Sequence, residues 1–126
     1  MWVGRLVRTL VAVVVALAAV VGLGACSSHG DAAAVPAGAV VIDVRTGAEY
    51  AAGHLKGAVN IDVEDPGFAA RVGQLPKEGH YLVYCRTGNR AGAAKAQMGA
   101  MGFTDVTNLG GVDAASKTTH LAVVTD

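Results

Sequence analysis

Between an apolar run and an alanine-rich run, the chain contains the sequence Cys85-Arg86-Thr87-Gly88-Asn89-Arg90. Residues 80–84, His-Tyr-Leu-Val-Tyr, have the length and the β-favouring side chains of a strand. Residues 91–101 have helix length and strong helix formers, with Met98 and Met101 three positions apart. The predicted order is therefore strand, tight loop and helix, with Cys85 at the first position of the loop.

This position favours an ionised thiol at Cys85. The N–H groups of the loop and of the first helical turn have no partner within the helix and point toward the strand end. They can stabilise an anion there, and activated cysteines have pKa values of about 3.5–7.5. Arg86 and Arg90 add positive charge, while Gly88 permits a positive φ angle. The alternative is a small buried hydrophobe that ends a strand.

Two further stretches accompany the loop, and together the three resemble the rhodanese-like sulfurtransferases. Residues 41–45, Val-Ile-Asp-Val-Arg, are similar to the family's Asp-x-Arg strand end. Residues 53–61, Gly-His-Leu-Lys-Gly-Ala-Val-Asn-Ile, are similar to its Gly-His-x-x-Gly-Ala-x-Asn-Ile signature. Residues 108–112, Asn-Leu-Gly-Gly-Val, resemble its late Leu-x-Gly-Gly turn. Three motifs in this order make the match specific, although none is strong alone.

The resemblance implies a sulfurtransferase with Cys85 as its catalytic nucleophile. The Cys85 thiolate would take sulfane sulfur from thiosulfate or a similar donor, and a thiol or cyanide would accept it. The donor-binding loop would consist of Arg86, Thr87, Gly88, Asn89 and Arg90. We expect no cofactor and no metal, because the four histidines show no ligand spacing with Cys85.

Several charged residues also have structural interpretations. Asp43 and Arg45 are two positions apart and share a face of a strand, so we interpret them as an ion pair that supports the loop. His54 is interpreted as structural, because a thiolate activated by backbone dipoles needs no base. For Arg86 the alternative to donor binding is a solvated surface charge. For Arg90 it is a carboxylate partner at the start of the helix.

Alternating strands and helices imply an α/β fold, with a central mostly parallel sheet and helices on both faces. The apolar run at residues 40–42 is typical of a strand buried on both faces. Further strands are expected at residues 58–61 and 105–108, and residues 121–124 are a candidate for one more. Active groups of such a sheet lie at the carboxyl ends of its strands.

Two shorter helices are predicted before the cysteine strand. Thr46 and Glu49 have capping-box spacing for a helix through Ala51, which Gly53 would end. A second helix is expected over residues 66–74, starting with proline and carrying apolar residues three to four positions apart.

The amino terminus indicates export. Arg5 and Arg8 precede an unbroken apolar run at residues 10–21, and Leu23-Gly24-Ala25-Cys26 resembles a bacterial lipobox. The resemblance implies cleavage before Cys26, lipidation of its thiol and anchoring to the cell membrane, facing outside the cytoplasm. An uncleaved anchor is the alternative, but the apolar stretch is shorter than the ~18–20 residues of a spanning helix.

The 126 residues allow one folded domain. We divide the chain into a signal peptide at residues 1–25, a flexible tether at 26–38 and a rhodanese-like domain at 39–126. Without the signal peptide, eight basic and ten acidic side chains remain, so nothing indicates a nucleic-acid partner. The domain departs from the family in its shortened start, in the absence of Trp soon after Gly111, and in its tail from Ser116.

Two rival functions remain. Related cysteine phosphatases and arsenate reductases use Cys-x5-Arg, whereas residues 85–90 give Cys-x4-Arg, a tighter ring better suited to one sulfur atom. The other rival is a non-catalytic rhodanese-like module that carries sulfur or binds a partner. The retained Cys85 argues against an inert module.

Overall fold

The computed structural model describes residues 35–126. The predicted signal peptide, Cys26 and most of the predicted tether lie outside the described residues, so those predictions stay as predictions. Among residues 35–126, no helix is long and apolar enough to cross a membrane.

Four strands form one parallel sheet, and two short strands pair separately. In chain order the strands are β1 (Val40–Asp43), β2 (His54–Leu55), β3 (Val59–Asn60), β4 (His80–Cys85), β5 (Asp105–Gly111) and β6 (Val123–Val124). The main sheet has the order β3-β1-β4-β5, and every neighbouring pair is parallel. Strands β2 and β6 pair antiparallel.

Helices cover both faces of this sheet, as predicted. They are α1 (Gly47–Ala52), α2 (Phe68–Val72), α3 (Asn89–Ala100) and α4 (Val112–Thr119). Ile42 packs with residues of α2 and α3 in one apolar core, while Val41 packs with Tyr50 of α1 and Ala115 of α4 in the other. The apolar run of β1 is therefore buried on both faces, which confirms the α/β architecture.

Some element boundaries differ from the predicted ones. The capping box of α1 is present: Thr46 Oγ1 accepts from the Glu49 N–H at 3.2 Å, and Glu49 Oε2 accepts from the Thr46 N–H at 3.0 Å. Helix α2 covers only Phe68–Val72, since glycines stand on both sides of it and no side chain caps it. Helix α4 was not predicted, because its sequence of small and polar residues has a weak apolar pattern.

The tail does add a strand, but not to the main sheet. Val123 and Val124 pair with Leu55 and His54, which form β2 between α1 and β3. The Lys56 N–H extends this contact by donating to the Ala122 carbonyl at 2.8 Å. The carboxyl terminus is thus fixed to the segment that follows α1.

Candidate active site

The parallel pairing of β1 and β4 brings two predicted groups to the same edge of the sheet. Asp43 is the last residue of β1 and lies opposite Tyr84, the residue before Cys85. The Val44 N–H continues the pairing by donating to the Tyr84 carbonyl at 3.0 Å. Both strands end here, as expected for active groups at the carboxyl ends of parallel strands.

Cys85 ends β4 with its side chain fully buried. The Gly88 N–H donates to Cys85 Sγ over 2.9 Å. Burial raises the pKa of the Cys85 thiol, but backbone N–H donors outweigh it and bring the pKa below its ordinary value. These donors belong to Ala91, Thr87, Gly88 and Arg90. The backbone of the loop and of the first helical turn therefore stabilises the thiolate.

The loop backbone lies against the turn at the end of β5. Gly88 has a φ of 99°, and a Cβ atom there would lie 3.3 Å from Gly110 Cα. A Cβ atom on Gly111 would lie 2.5 Å from the Arg86 carbonyl oxygen, closer than side chains tolerate. The Gly110–Gly111 pair thus allows β5 to support the cysteine loop through backbone contact.

Arg90 is paired with carboxylates. Its Nη1 and Nη2 atoms donate to Glu49 Oε2 and Oε1, each at 2.8 Å, and Nη1 lies 3.5 Å from Glu64 Oε2. The hydrogen bonds from Arg90 lower the pKa of Glu49 to about 2 and raise the pKa of Arg90 above its ordinary value. This geometry matches the structural alternative considered for Arg90, and its charge is largely offset.

The remaining loop side chains are exposed, namely Arg86, Thr87 and Asn89. Within residues 35–126, no carboxylate forms an ion pair with Arg86. Of the two arginines in the loop, Arg86 therefore has the charge that is free to meet an anion arriving from solvent.

Asp43 and Arg45 form a buried ion pair at the end of β1. Arg45 Nη2 lies 2.6 Å from Asp43 Oδ2, and the Arg45 N–H and Nε also donate to this carboxylate. The same Nη2 donates to the Gly53 carbonyl at 2.6 Å. The pair therefore connects the end of β1 to the end of α1, which is a supporting position.

His54 is engaged away from the cysteine loop. Its ring stacks on Tyr50 with 3.7 Å between ring centroids. Nδ1 lies 2.9 Å from the Tyr50 carbonyl oxygen, and Nε2 lies 2.8 Å from Asp126 Oδ1. Both ring nitrogens have partners outside the loop, so the arrangement of His54 is that of a packing residue.

Two contributors to the site were not found from the sequence. Glu49 was noticed only as a helix cap, and Asn108 only as part of a turn motif. Glu49 reaches Arg90 and Asn108 reaches Gly88 across 41 and 20 positions of sequence. Such contacts depend on strand order and register, which residue spacing alone does not give.

In residues 35–126, no group of three His, Cys, Asp or Glu side chains is arranged to hold a metal ion.

Fold and site together define a class: an α/β domain whose buried cysteine ends a parallel strand and is held by a loop of backbone donors. Residues 30–118 match the family model of the Rhodanese-like domain. The chain belongs to this family.

Two similar proteins are named as thiosulfate sulfurtransferases. The chain is 35% identical to the thiosulfate sulfurtransferase PspE of Escherichia coli over 71 residues, 56% of this chain and 68% of that protein. It is 36% identical to the thiosulfate sulfurtransferase GlpE of Pseudomonas fluorescens over 87 residues, 69% of this chain and 78% of that protein.

Solved structures agree with this assignment. A rhodanese with anions from Escherichia coli superposes with a TM-score of 0.58 at 31% identity, covering 70% of this chain and 99% of that one. The Alr3790 protein from Anabaena gives a TM-score of 0.62 at 26% identity, covering 71% of this chain and 79% of that one.

Proposed function

We propose that this protein is a sulfurtransferase that carries sulfane sulfur on Cys85. The observation that carries the proposal is the set of backbone donors around Sγ, with the Gly88 N–H at 2.9 Å. A thiolate held in this way is a strong nucleophile and needs no neighbouring base. The relatives named as thiosulfate sulfurtransferases support thiosulfate, or a similar anion, as the donor.

The proposed reaction has two displacements on sulfur. The Cys85 thiolate attacks the outer sulfur of thiosulfate, the sulfur–sulfur bond of thiosulfate breaks, and sulfite leaves with the bonding electron pair. The persulfide anion on Cys85 is then stabilised by the loop N–H groups. Cyanide or a thiolate attacks the terminal sulfur, and Cys85 is released as thiolate. Arg86 attracts the anionic donor, since its charge is free to do so.

Arg90 separates this proposal from a phosphatase. A phosphatase of the Cys-x5-Arg type needs its arginine on the phosphate, but here both Nη atoms of Arg90 hold Glu49 at 2.8 Å. The short loop and the occupied arginine both favour sulfur over phosphate chemistry.

One observation favours a second candidate, a non-catalytic module that binds a partner or stores sulfur. Cys85 is fully buried, so Sγ is closed to a donor in solution in this conformation. The two candidates are separated by a thiosulfate–cyanide assay on the full-length protein purified in detergent, with Cys85→Ser as control. Thiocyanate formation that depends on Cys85 supports the enzyme, and its absence supports the module.

For the rest of the chain we propose the arrangement indicated by its sequence. Residues 1–25 act as an export signal, Cys26 bears the lipid, and residues 26–38 connect it to the domain at 39–126. The domain would then work at the cell membrane, outside the cytoplasm. The basic residues before the apolar run and the small residues before Cys26 support this proposal.

A further inference from the structure

We propose that Asn108 is a positioning residue for Cys85, which holds Gly88 so that the Gly88 N–H stays on the sulfur. The inference rests on the proposed function, because it concerns how the reactive thiolate is maintained. Asn108 lies on β5, outside the cysteine loop, and it acts through Gly88 without touching the sulfur.

Both ends of the Asn108 amide are engaged. Its Nδ2 donates to the Gly88 carbonyl at 3.0 Å, and its Oδ1 accepts from the Gly110 N–H at 2.8 Å. A carbonyl requires a donor and an N–H requires an acceptor, so the amide fits in only one orientation. Asn108 therefore fastens the Gly110 turn of β5 to Gly88 of the cysteine loop.

An irregularity in the sheet follows directly after Asn108. Opposite β4, Val83 is paired with Asn108 but Cys85 is paired with Gly111. Between these two pairs, β5 advances by three residues and β4 by two. One extra residue on one strand is the signature of a β-bulge. Bulges change the direction of neighbouring side chains and are common beside active sites. Here the bulge lies directly beside the residue that bears the thiol.

The first turn of α3 supplies a second donor to Gly88. The Gly92 N–H donates to the Gly88 carbonyl at 2.9 Å. The Gly88 carbonyl therefore accepts one hydrogen bond from the helix and one from β5. Gly88 is held on its carbonyl side by these donors and on its N–H side by Cys85 Sγ.

Gly88 needs such support because glycine moves easily between backbone conformations. If the Asn108 donor were lost, the Gly88 carbonyl would keep only the hydrogen bond from Gly92, and the Gly88 N–H would point at Sγ for a smaller fraction of the time. The thiolate would lose part of its stabilisation, and the pKa of Cys85 would rise toward its ordinary value. The effect would appear in the ionisation of Cys85 even in a protein that remains fully folded.

The test compares Asn108→Ala with Thr107→Ala in the full-length protein. Thr107 is the exposed neighbour of Asn108 on β5 and serves as the matched control. We expect the midpoint of Cys85 alkylation with pH to rise by roughly 0.5 to 1 unit in Asn108→Ala, as for loss of one hydrogen bond. Sulfur transfer measured below that midpoint should fall about three- to tenfold. Thr107→Ala should leave both unchanged.

A second pair covers the case in which Asn108→Ala fails to fold. Asn108→Ser removes the amide donor to Gly88 without adding charge and keeps a hydroxyl acceptor for the Gly110 N–H, and Thr107→Ser is its matched control. A larger midpoint rise in Asn108→Ser than in Thr107→Ser supports the positioning role. Equal midpoints within both pairs overturn it. If the wild-type protein transfers no sulfur, the proposed function fails, but the alkylation midpoints still decide the role of Asn108.

Discussion

At the scale of single residues, the thiolate of Cys85 is stabilised by backbone groups. Among residues 35–126, no side-chain base forms a hydrogen bond with the sulfur, whereas the Gly88 N–H donates to it at 2.9 Å. His54 was considered for that task from the sequence, but its ring nitrogens bind Tyr50 and Asp126. The reactivity proposed for Cys85 therefore depends on the path of residues 85–91 and not on proton transfer to a neighbour.

This dependence predicts an acidic thiol at Cys85. The backbone donors lower its pKa, so the thiolate persists at lower pH than in a free thiol, whose pKa is about 8.5. We expect alkylation of Cys85 to reach its plateau below that pH, and thiosulfate treatment to add one sulfur atom, about 32 Da. Mass spectrometry measures the gain of mass, and the rate of alkylation as a function of pH measures the ionisation of Cys85. The Cys85→Ser protein is the control for both. An alkylation profile centred near 8.5 with no mass gain would contradict the proposed chemistry.

At the scale of elements, the ion pair between Glu49 and Arg90 joins the first helix to the start of α3. The sequence suggests that Arg90 contacts the substrate, because it lies in the cysteine loop. In the structure Arg90 instead pairs with Glu49 and so connects α1 to α3. Glu49 also caps α1 through the Thr46 N–H. One carboxylate thus fixes two helix starts next to the site.

The pair predicts a specific pH dependence of stability. The pKa of Glu49 falls from 4.5 to about 2 on folding, so its contribution is complete above pH 4.5 and is lost as the pH falls toward 2. We expect Glu49→Gln to lower the melting temperature at pH 6 and the wild-type advantage to shrink progressively below pH 4.5. Thermal denaturation of both proteins from pH 2.5 to pH 7 measures this. A constant difference over that range would show that the ionised pair does not contribute.

The turn at the end of β5 gives a second test at this scale. A Cβ atom on Gly111 would lie 2.5 Å from the Arg86 carbonyl oxygen, whereas one on Gly99 would meet nothing within 4 Å. We expect Gly111→Ala to displace the cysteine loop, destabilise the protein by about 1–3 kcal/mol and reduce sulfur transfer. Gly99→Ala should stabilise α3 by about 0.5–1 kcal/mol and leave transfer intact. Denaturant unfolding measures the stability of the two variants, and the thiosulfate–cyanide assay measures their sulfur transfer. Equal stability and equal transfer in both variants would exclude a role of β5 in supporting the cysteine loop.

At the scale of the whole molecule, the sequence predicted what depends on local pattern and missed what depends on register. The buried run of β1, the capping box of α1 and the strand, loop and helix around Cys85 all followed from residue type and spacing. The partners of Glu49 and Asn108, and the pairing of β6 with β2, did not, because each joins segments far apart in sequence. Helix α4 was missed because its burial rests on only two small residues, Ala115 and Thr119.

The last prediction concerns where this domain works, and it rests on Cys26. If Cys26 is acylated, it cannot form a disulfide, and Cys85 remains a lone thiol in an oxidising compartment. Cys85 is buried, which limits the access of oxidants to its thiol and suits such a location.

We therefore expect the wild-type protein to fractionate with membranes and to incorporate labelled fatty acid. The change Cys26→Ser should abolish the label and block processing, while Cys85→Ser, the matched control, should leave both as in the wild type. Metabolic labelling and membrane fractionation make the comparison. A Cys26→Ser protein that is acylated and processed like the wild type would show that the lipobox interpretation is wrong, and the domain would then need another route to its site of action.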